Sequence, residues 1–182
     1  FCIFTDMGRM HSIKVADIPL VRFRDKGTPA DNLSNYDSSQ EQILYVAPAG
    51  QVKLSTLLFV TKTSMCKLVA GEEFDVAKRT IASTKLGEED QLIFVGPADE
   101  MERVVFQSQN GYFLRILKTD VSTMKKTSVG VRGMKLGDGD VLEHAYLVEP
   151  RQEYTIQYHD KPYALNKVKL AKRDTKGMKP RI

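Results

Sequence analysis

The chain has 182 residues, with 27 Lys and Arg, 23 Asp and Glu, three His and two Cys, and 42% of it is hydrophobic. That apolar share excludes a disordered chain, and the length suits one ordinary domain or a few small repeats around a shared core. Cys2 and Cys66, with no Cys-x-x-Cys anywhere, exclude a disulfide framework and a zinc knuckle and read as core residues of an intracellular protein, while no apolar run approaches the roughly 20 residues of a membrane span.

The chain opens on strand-like FCIF at Phe1, with neither an initiator Met nor the regions of a signal peptide, so it is expected to be a piece of a longer polypeptide. FCIFTDMGRMHSIKVADI, from Phe1, is an apolar strand, a short polar turn and a second strand. The same pattern returns as LLFVTKTSMCKLVAGEEF from Leu57, as VVFQSQNGYFLRILKTDV from Val104, and more faintly as YTIQYHDKPYALNKVKLA from Tyr154. With Gly8, Ser64, Gly111 and Lys161 as the turn landmarks, the spacings are 56, 47 and 50 residues. Asn110-Gly111 between apolar runs is a strong hairpin signal, and Gly8 supplies the same permissive backbone.

Between the hairpins lie three further strand-like runs, Gln42 to Pro48, Gln91 to Pro97 and Val141 to Pro150, each closed by Pro. The pattern predicts about four strands per repeat, the content of a propeller blade, in repeats near 1–50, 51–100, 101–150 and 151–182. Val76 to Lys85 and Lys118 to Lys126 are each able to hold one turn of helix, and no segment carries a longer helical stripe. The expected fold is all-β, with three to four blades and apolar strands packed blade against blade.

The charges follow the same period. Basic loops open at Arg22, Lys78 and Lys125, each fourteen residues past its landmark, and a fourth opens at Lys172. Acidic turns follow at Asp37 and Glu41, at Glu88, Glu89 and Asp90, and at Asp138 and Asp140. Residues 151–182 carry a net +6 and the first 150 carry −2. In a radial repeat, equivalent positions share a rim, so the basic loops are expected on one surface and the acidic turns on another. Such a basic surface suits a polyanion, because each neutralised phosphate releases counterions. Gly27, Gly130, Gly133 and Gly177 would let the backbone approach a phosphate, or simply shape tight turns.

GRMHSIKVADIP, TSMCKLVAGEEF with KLGEEDQLIFV, and above all NGYFLRILKTDV followed by GVRGMKLGDGDVLEHAYLV resemble the repeats of the C-terminal domain of the A subunit of bacterial type IIA topoisomerases. That is the family of DNA gyrase A and the topoisomerase IV A subunit. The resemblance implies a β-pinwheel of four-stranded blades whose basic rim binds and bends duplex DNA. It implies as partners the ATPase B subunit together with the remainder of the A subunit, in the cytoplasm at the nucleoid. The implied contacts are Arg22, Arg24 and Lys26; Lys78, Arg79 and Lys85; Lys125, Lys126, Arg132 and Lys135; and Lys172, Arg173, Lys176, Lys179 and Arg181. The glutamine-led basic Gly-Gly stretch characteristic of gyrase is absent from these residues.

Catalytic readings find little support. His11, His144 and His159 are scattered over different repeats without ligand spacing and read as ordinary surface or strand residues. No phosphate-cradling Gly-x-x-x-x-Gly-Lys motif occurs, and Asp138-Gly139-Asp140 reads as a β-turn. No cofactor is expected in this segment. The resemblance places the strand-cleaving tyrosine and the ATP chemistry of the parent topoisomerase elsewhere. The alternative is a protein-interaction propeller that docks an acidic partner.

Overall fold

A computed structural model describes residues 1–181. The hairpin of β1 (Cys2–Thr5) and β2 (Arg9–Ser12) forms because apolar Cys2, Ile3 and Phe4 face Met10 and His11 across a turn at Gly8, whose φ is +70°. The next hairpin joins β4 (Thr56–Thr61) to β5 (Met65–Ala70) through Ser64, and a third joins β8 (Arg103–Ser108) to β9 (Phe113–Leu117) through Gly111. Both turn residues are left-handed, at +73° and +79°. In the fourth hairpin, β12 (Thr155–Tyr158) and β13 (Lys161–Ala164), the positive φ falls on His159 and Asp160. That two-residue turn puts the bend one step before the Lys161 landmark, with His and Asp in place of Gly.

The intervening runs are β3 (Ile43–Ala47), β7 (Leu92–Pro97) and β11 (Leu142–Val148), paired antiparallel with β1, β4 and β8 respectively. These three touch one another from blade to blade and so line the axis of the disc. The opposite edge is closed by a strand from the following repeat. β6 (Thr80–Ala82) pairs with β2, β10 (Val131–Arg132) with β5, and Met178 exchanges two hydrogen bonds with Phe113 on β9. The sheets therefore read β3-β1-β2-β6, β10-β5-β4-β7, β11-β8-β9 and β12-β13, the architecture of a four-stranded β-pinwheel.

Strands buried on both faces explain the unbroken apolar runs. Leu57, Phe59 and Val69 pack with Phe4, Met10 and Phe74 between the first two blades. Their neighbours Leu58, Val60, Cys66 and Leu68 pack with Val104, Phe106, Leu114 and Ile116 between the second and third. Val105, Phe113, Val148, Leu165 and Val168 fill the next interface. Cys2 and Cys66 are buried free thiols, as expected of core residues.

Two short helices depart from the sequence reading, α1 (Ala30–Leu33) and α2 (Ala49–Leu54). α2 follows Pro48, whose carbonyl accepts from Val52 N–H, and it forms because Val52 finds the core between the first two blades. The turn expected near Lys118 is present as a 3-10 turn at Lys118–Asp120, whereas Val76 to Lys85 contains β6 instead of helix, because the free edge of β2 recruits it. No helix among the described residues is long and apolar enough to cross a membrane.

Candidate nucleic-acid interface

The basic loops owe their position to the strand exchange. Lys78 and Arg79 lead into β6, and Ser12 N–H donates to the Arg79 carbonyl at 2.8 Å while Ser83 N–H donates to the Gly8 carbonyl at 2.8 Å. Lys125 and Lys126 precede β10, which contains Arg132, and Lys135 follows it. Lys172, Arg173 and Lys176 precede the Met178–Phe113 pairing, and Lys179 and Arg181 follow. Because β3, β7 and β11 hold the axis, these segments lie at the outer rim.

The third and fourth basic loops lie side by side. Asp174 N–H donates to the Gly133 carbonyl at 2.8 Å, and Lys135 N–H to the Thr175 carbonyl at 3.0 Å. Arg173 donates to the Arg132 carbonyl at 2.7 Å and to the Asp120 carbonyl at 3.1 Å. Lys176 and Lys179 both stand over the Tyr112 ring, at 4.7 and 5.0 Å from its centre.

The first loop behaves differently. Residues 14–29 are exposed throughout, with Leu20 and Phe23 fully so, and Arg22, Arg24 and Lys26 lie on no strand. The other loops, by contrast, rest on the hairpin before them.

Some of the cations are already paired. Arg79 lies 3.1 Å from Asp17 and Arg132 3.5 Å from Asp174, while Lys125 and Lys126 lie 3.7 and 4.0 Å from Glu73. Arg22, Arg24, Lys26, Lys78, Lys85, Lys135, Lys172, Lys176, Lys179 and Arg181 have no carboxylate within ion-pair reach among the described residues.

The acidic turns are only partly exposed. Asp37, Glu88, Glu89 and Asp138 are exposed, but Glu41, Asp90 and Asp140 are buried against the hairpin turn of their own blade. Asp90 accepts from Thr63 N–H at 3.0 Å and from its hydroxyl at 2.5 Å, and Asp140 accepts from Asn110 N–H at 3.0 Å. A turn leaves amide donors free, and a carboxylate satisfies them better than water does once the blades close over it. Asp138-Gly139-Asp140 forms the expected turn, with Asp140 N–H donating to the Gly137 carbonyl.

His11 is likewise no surface residue. It lies in β2, is 1% exposed, and places Nε2 3.1 Å from both oxygens of Glu41 and Nδ1 2.9 Å from Thr80 Oγ1. Arg9 and the Thr5 hydroxyl also donate to Glu41. Burial pushes the Glu41 carboxyl up, but the hydrogen bonds from Thr5, His11 and Arg9 outweigh it and hold the group below its usual range.

The glycines serve blade packing. A Cβ on Gly130 would stand 2.6 Å from the Cys66 carbonyl oxygen, one on Gly177 2.4 Å from that of Phe113, and one on Gly133 2.7 Å from the Phe106 ring. They allow the exchanged segment to lie against the preceding blade. Of the four glycines singled out in the basic loops, Gly27, Gly130, Gly133 and Gly177, only Gly27 stands in open space.

One cation escaped the sequence reading altogether. Lys67, in the middle of β5, is fully buried, and its Nζ donates to the carbonyls of Ser128, Lys126 and Lys125 at 2.5, 2.9 and 3.2 Å. The available signal was a lysine inside the apolar run Met65-Cys66-Lys67-Leu68-Val69.

This arrangement can be set beside known proteins. Residues 55–99 and 102–149, just over half of the chain, match the family described as DNA gyrase C-terminal domain, beta-propeller. The chain belongs to that family. Among curated relatives, it is 28% identical to the DNA gyrase A subunit of Lawsonia intracellularis, over 83% of this chain and 18% of the relative. It is also 28% identical to the DNA topoisomerase 4 A subunit of Streptococcus pneumoniae, over 85% of this chain and 19% of the relative. The chain thus spans about a fifth of the length of these relatives. A solved C-terminal domain of DNA topoisomerase IV superposes with a TM-score of 0.87 at 26% identity, covering 97% of this chain and 57% of that one. A DNA gyrase A C-terminal domain superposes with a TM-score of 0.74 at 22% identity, covering 97% and 58%, and supports the fold.

Proposed function

We propose that this chain binds duplex DNA irrespective of sequence and bends it along the outer rim, as the C-terminal domain of a type IIA topoisomerase A subunit. The observation that carries this reading is the set of rim loops whose lysines and arginines, Lys78, Lys85, Lys135, Lys172, Lys176 and Lys179 among them, have no carboxylate partner among the described residues. A bent duplex presents phosphates along an arc, and cations repeated blade by blade meet them in turn. Bending a site of this size costs on the order of several kcal/mol, so several loops must act together. The proposed contacts are those named from the sequence, with Lys125, Lys126, Arg79 and Arg132 exchanging a carboxylate for a phosphate.

The proposed partners are the ATPase B subunit together with the remainder of the A subunit, in the bacterial cytoplasm at the nucleoid. This segment directs the duplex, while strand cleavage belongs to the separate core and ATP turnover to the B subunit. The test is a mobility shift with duplexes of about 40 to 150 base pairs at several salt concentrations. Affinity should rise with length and fall steeply with salt. A flat length dependence would favour docking of an acidic protein instead.

A further inference from the structure

We propose that Lys67 is a positioning residue for the basic loop of the following repeat, gathering the carbonyls of Lys125, Lys126 and Ser128 and so fixing where Lys125 and Lys126 stand on the rim. The inference rests on the reading of that rim as a DNA contact. An ammonium has three donors and no acceptor, and here three carbonyl oxygens meet it at 2.5 to 3.2 Å, so it is saturated. Those carbonyls converge because residues 125–128 turn back on themselves, with the Ser128 N–H and hydroxyl both donating to the Lys125 carbonyl. Without the cation, three converging carbonyl dipoles would lose their shared donor, only the Lys125 carbonyl would keep a partner among the described residues, in Ser128, and the turn would loosen.

The same loop is gripped from its other side. Glu73 accepts from Lys126 N–H at 2.8 Å and stands near both loop ammonium groups. A cation thus holds the carbonyls and an anion holds an amide, leaving the Lys125 side chain 82% exposed at the surface. Register supports a shared role. Lys67 lies opposite Phe59 as His11 lies opposite Ile3, and His11 also reaches the segment delivered by the next repeat, at Thr80. Leu114 occupies this place in the third blade, where backbone pairing of Met178 with Phe113 holds the segment.

The test uses the full chain with Lys67→Met, which keeps the apolar stem and removes the donors, and Lys67→Arg, which keeps charge and donors. Amide exchange at Lys126 and Ser128 should accelerate about tenfold or more in Lys67→Met while strands β4 and β8 keep their protection. Affinity for a duplex of about 100 base pairs should fall about three- to tenfold, with a salt slope shallower by about one, and Lys67→Arg should recover part of both. Unchanged exchange in the loop would overturn the proposal, as would faster exchange with unchanged affinity and slope. Should Lys67→Met fail to fold, Lys67→Gln, with two donors on a shorter stem, is expected to show the same local effect. Failure of the wild-type chain to bind any duplex would instead sink the DNA reading, whereas the exchange comparison needs no DNA and decides the loop contact separately.

Discussion

Ser64 and Met134, seventy residues apart, are joined by a hydrogen bond of 2.7 Å from the Met134 N–H to the Ser64 hydroxyl. The Ser64 carbonyl also accepts from Gly133 N–H at 2.7 Å. Gly8 and Gly111 hold the equivalent turns, so Ser64, at φ +73°, trades conformational ease for a bond between repeats. Ser64→Ala keeps the strained backbone and leaves the Met134 amide unpaired, which should lower stability by about 1–3 kcal/mol. Ser64→Gly loses the same bond but recovers about 1 kcal/mol of backbone strain. Urea unfolding should rank wild type above Ser64→Gly and Ser64→Gly above Ser64→Ala. Equal losses would show that the left-handed turn carries no penalty.

Gly177 is expected to tolerate no side chain. Its φ is +75°, and a Cβ there would stand 2.4 Å from the Phe113 carbonyl oxygen, the atom that accepts from Met178 N–H at 2.9 Å. Gly177→Ala should break that pairing, cost about 1–3 kcal/mol and release residues 172–181 from the third blade. Trypsin should then cut rapidly after Lys176. Unchanged resistance would mean that the edge pairing is dispensable.

These two positions mark where the sequence stops being legible. The hairpins are readable because an apolar run, a turn residue and a second run recur at a near-constant spacing. The exchange of strands between repeats is not readable, because β6 and β10 are only three and two residues long and owe their conformation to a free edge supplied by another repeat. The rim cations are visible as clusters, yet nothing in their spacing distinguishes Lys78, without a carboxylate partner among the described residues, from Arg79 beside Asp17. Glu41, Asp90 and Asp140 look like solvated turn residues because carboxylates ordinarily are. Only the closed blade shows that each of them satisfies turn or strand donors.

The burial of Lys67 sets a pH dependence. Desolvation lowers its ammonium to about 8, with Glu73 pulling the other way, against 10.5 for an unperturbed lysine. Between about 8 and 10.5 the unfolded chain binds more protons than the folded one, so stability rises with pH there; below about 8 the penalty of burying the charge is present in full. Lys67→Met removes the group. The stability of wild type relative to the variant should therefore increase from pH 7.5 to pH 10 in urea titrations, conditions that lie on either side of about 8. Parallel curves would contradict a buried, charged Lys67.

Glu41 shifts in the same direction, so stability again rises with pH, but here the fold favours the charged form instead of penalising it. Its burial raises the carboxyl pKa, but the bonds from Thr5, His11 and Arg9 more than offset this and hold it below the unperturbed 4.5. The folded state thus gains stability that is present above 4.5 and lost as the pH falls below that value. Glu41→Gln should lower stability by about 1–3 kcal/mol at neutral pH, since charge-assisted bonds to buried groups are lost. The gap between wild type and variant should narrow on acidification. A gap that widened in acid would place the carboxyl above its usual range.

The rim can be tested in both directions. Lys135 has no carboxylate partner among the described residues, so Lys135→Gln should reduce duplex affinity uniformly across sequences and make the salt slope shallower by about 0.9. Arg132 is held 3.5 Å from Asp174, an exposed pair whose own stabilisation is at most about 1 kcal/mol. Asp174→Asn should therefore free the guanidinium at little expense in stability, and asparagine suits the left-handed φ of +62° at that position. Affinity should rise and the slope steepen by up to about 0.9, because one more cation becomes available to a phosphate and one repelling carboxylate is gone. Titrations of one duplex at several salt concentrations read both variants. Loss of affinity in Asp174→Asn would show that Asp174 holds Arg132 in place for the DNA rather than competing with it.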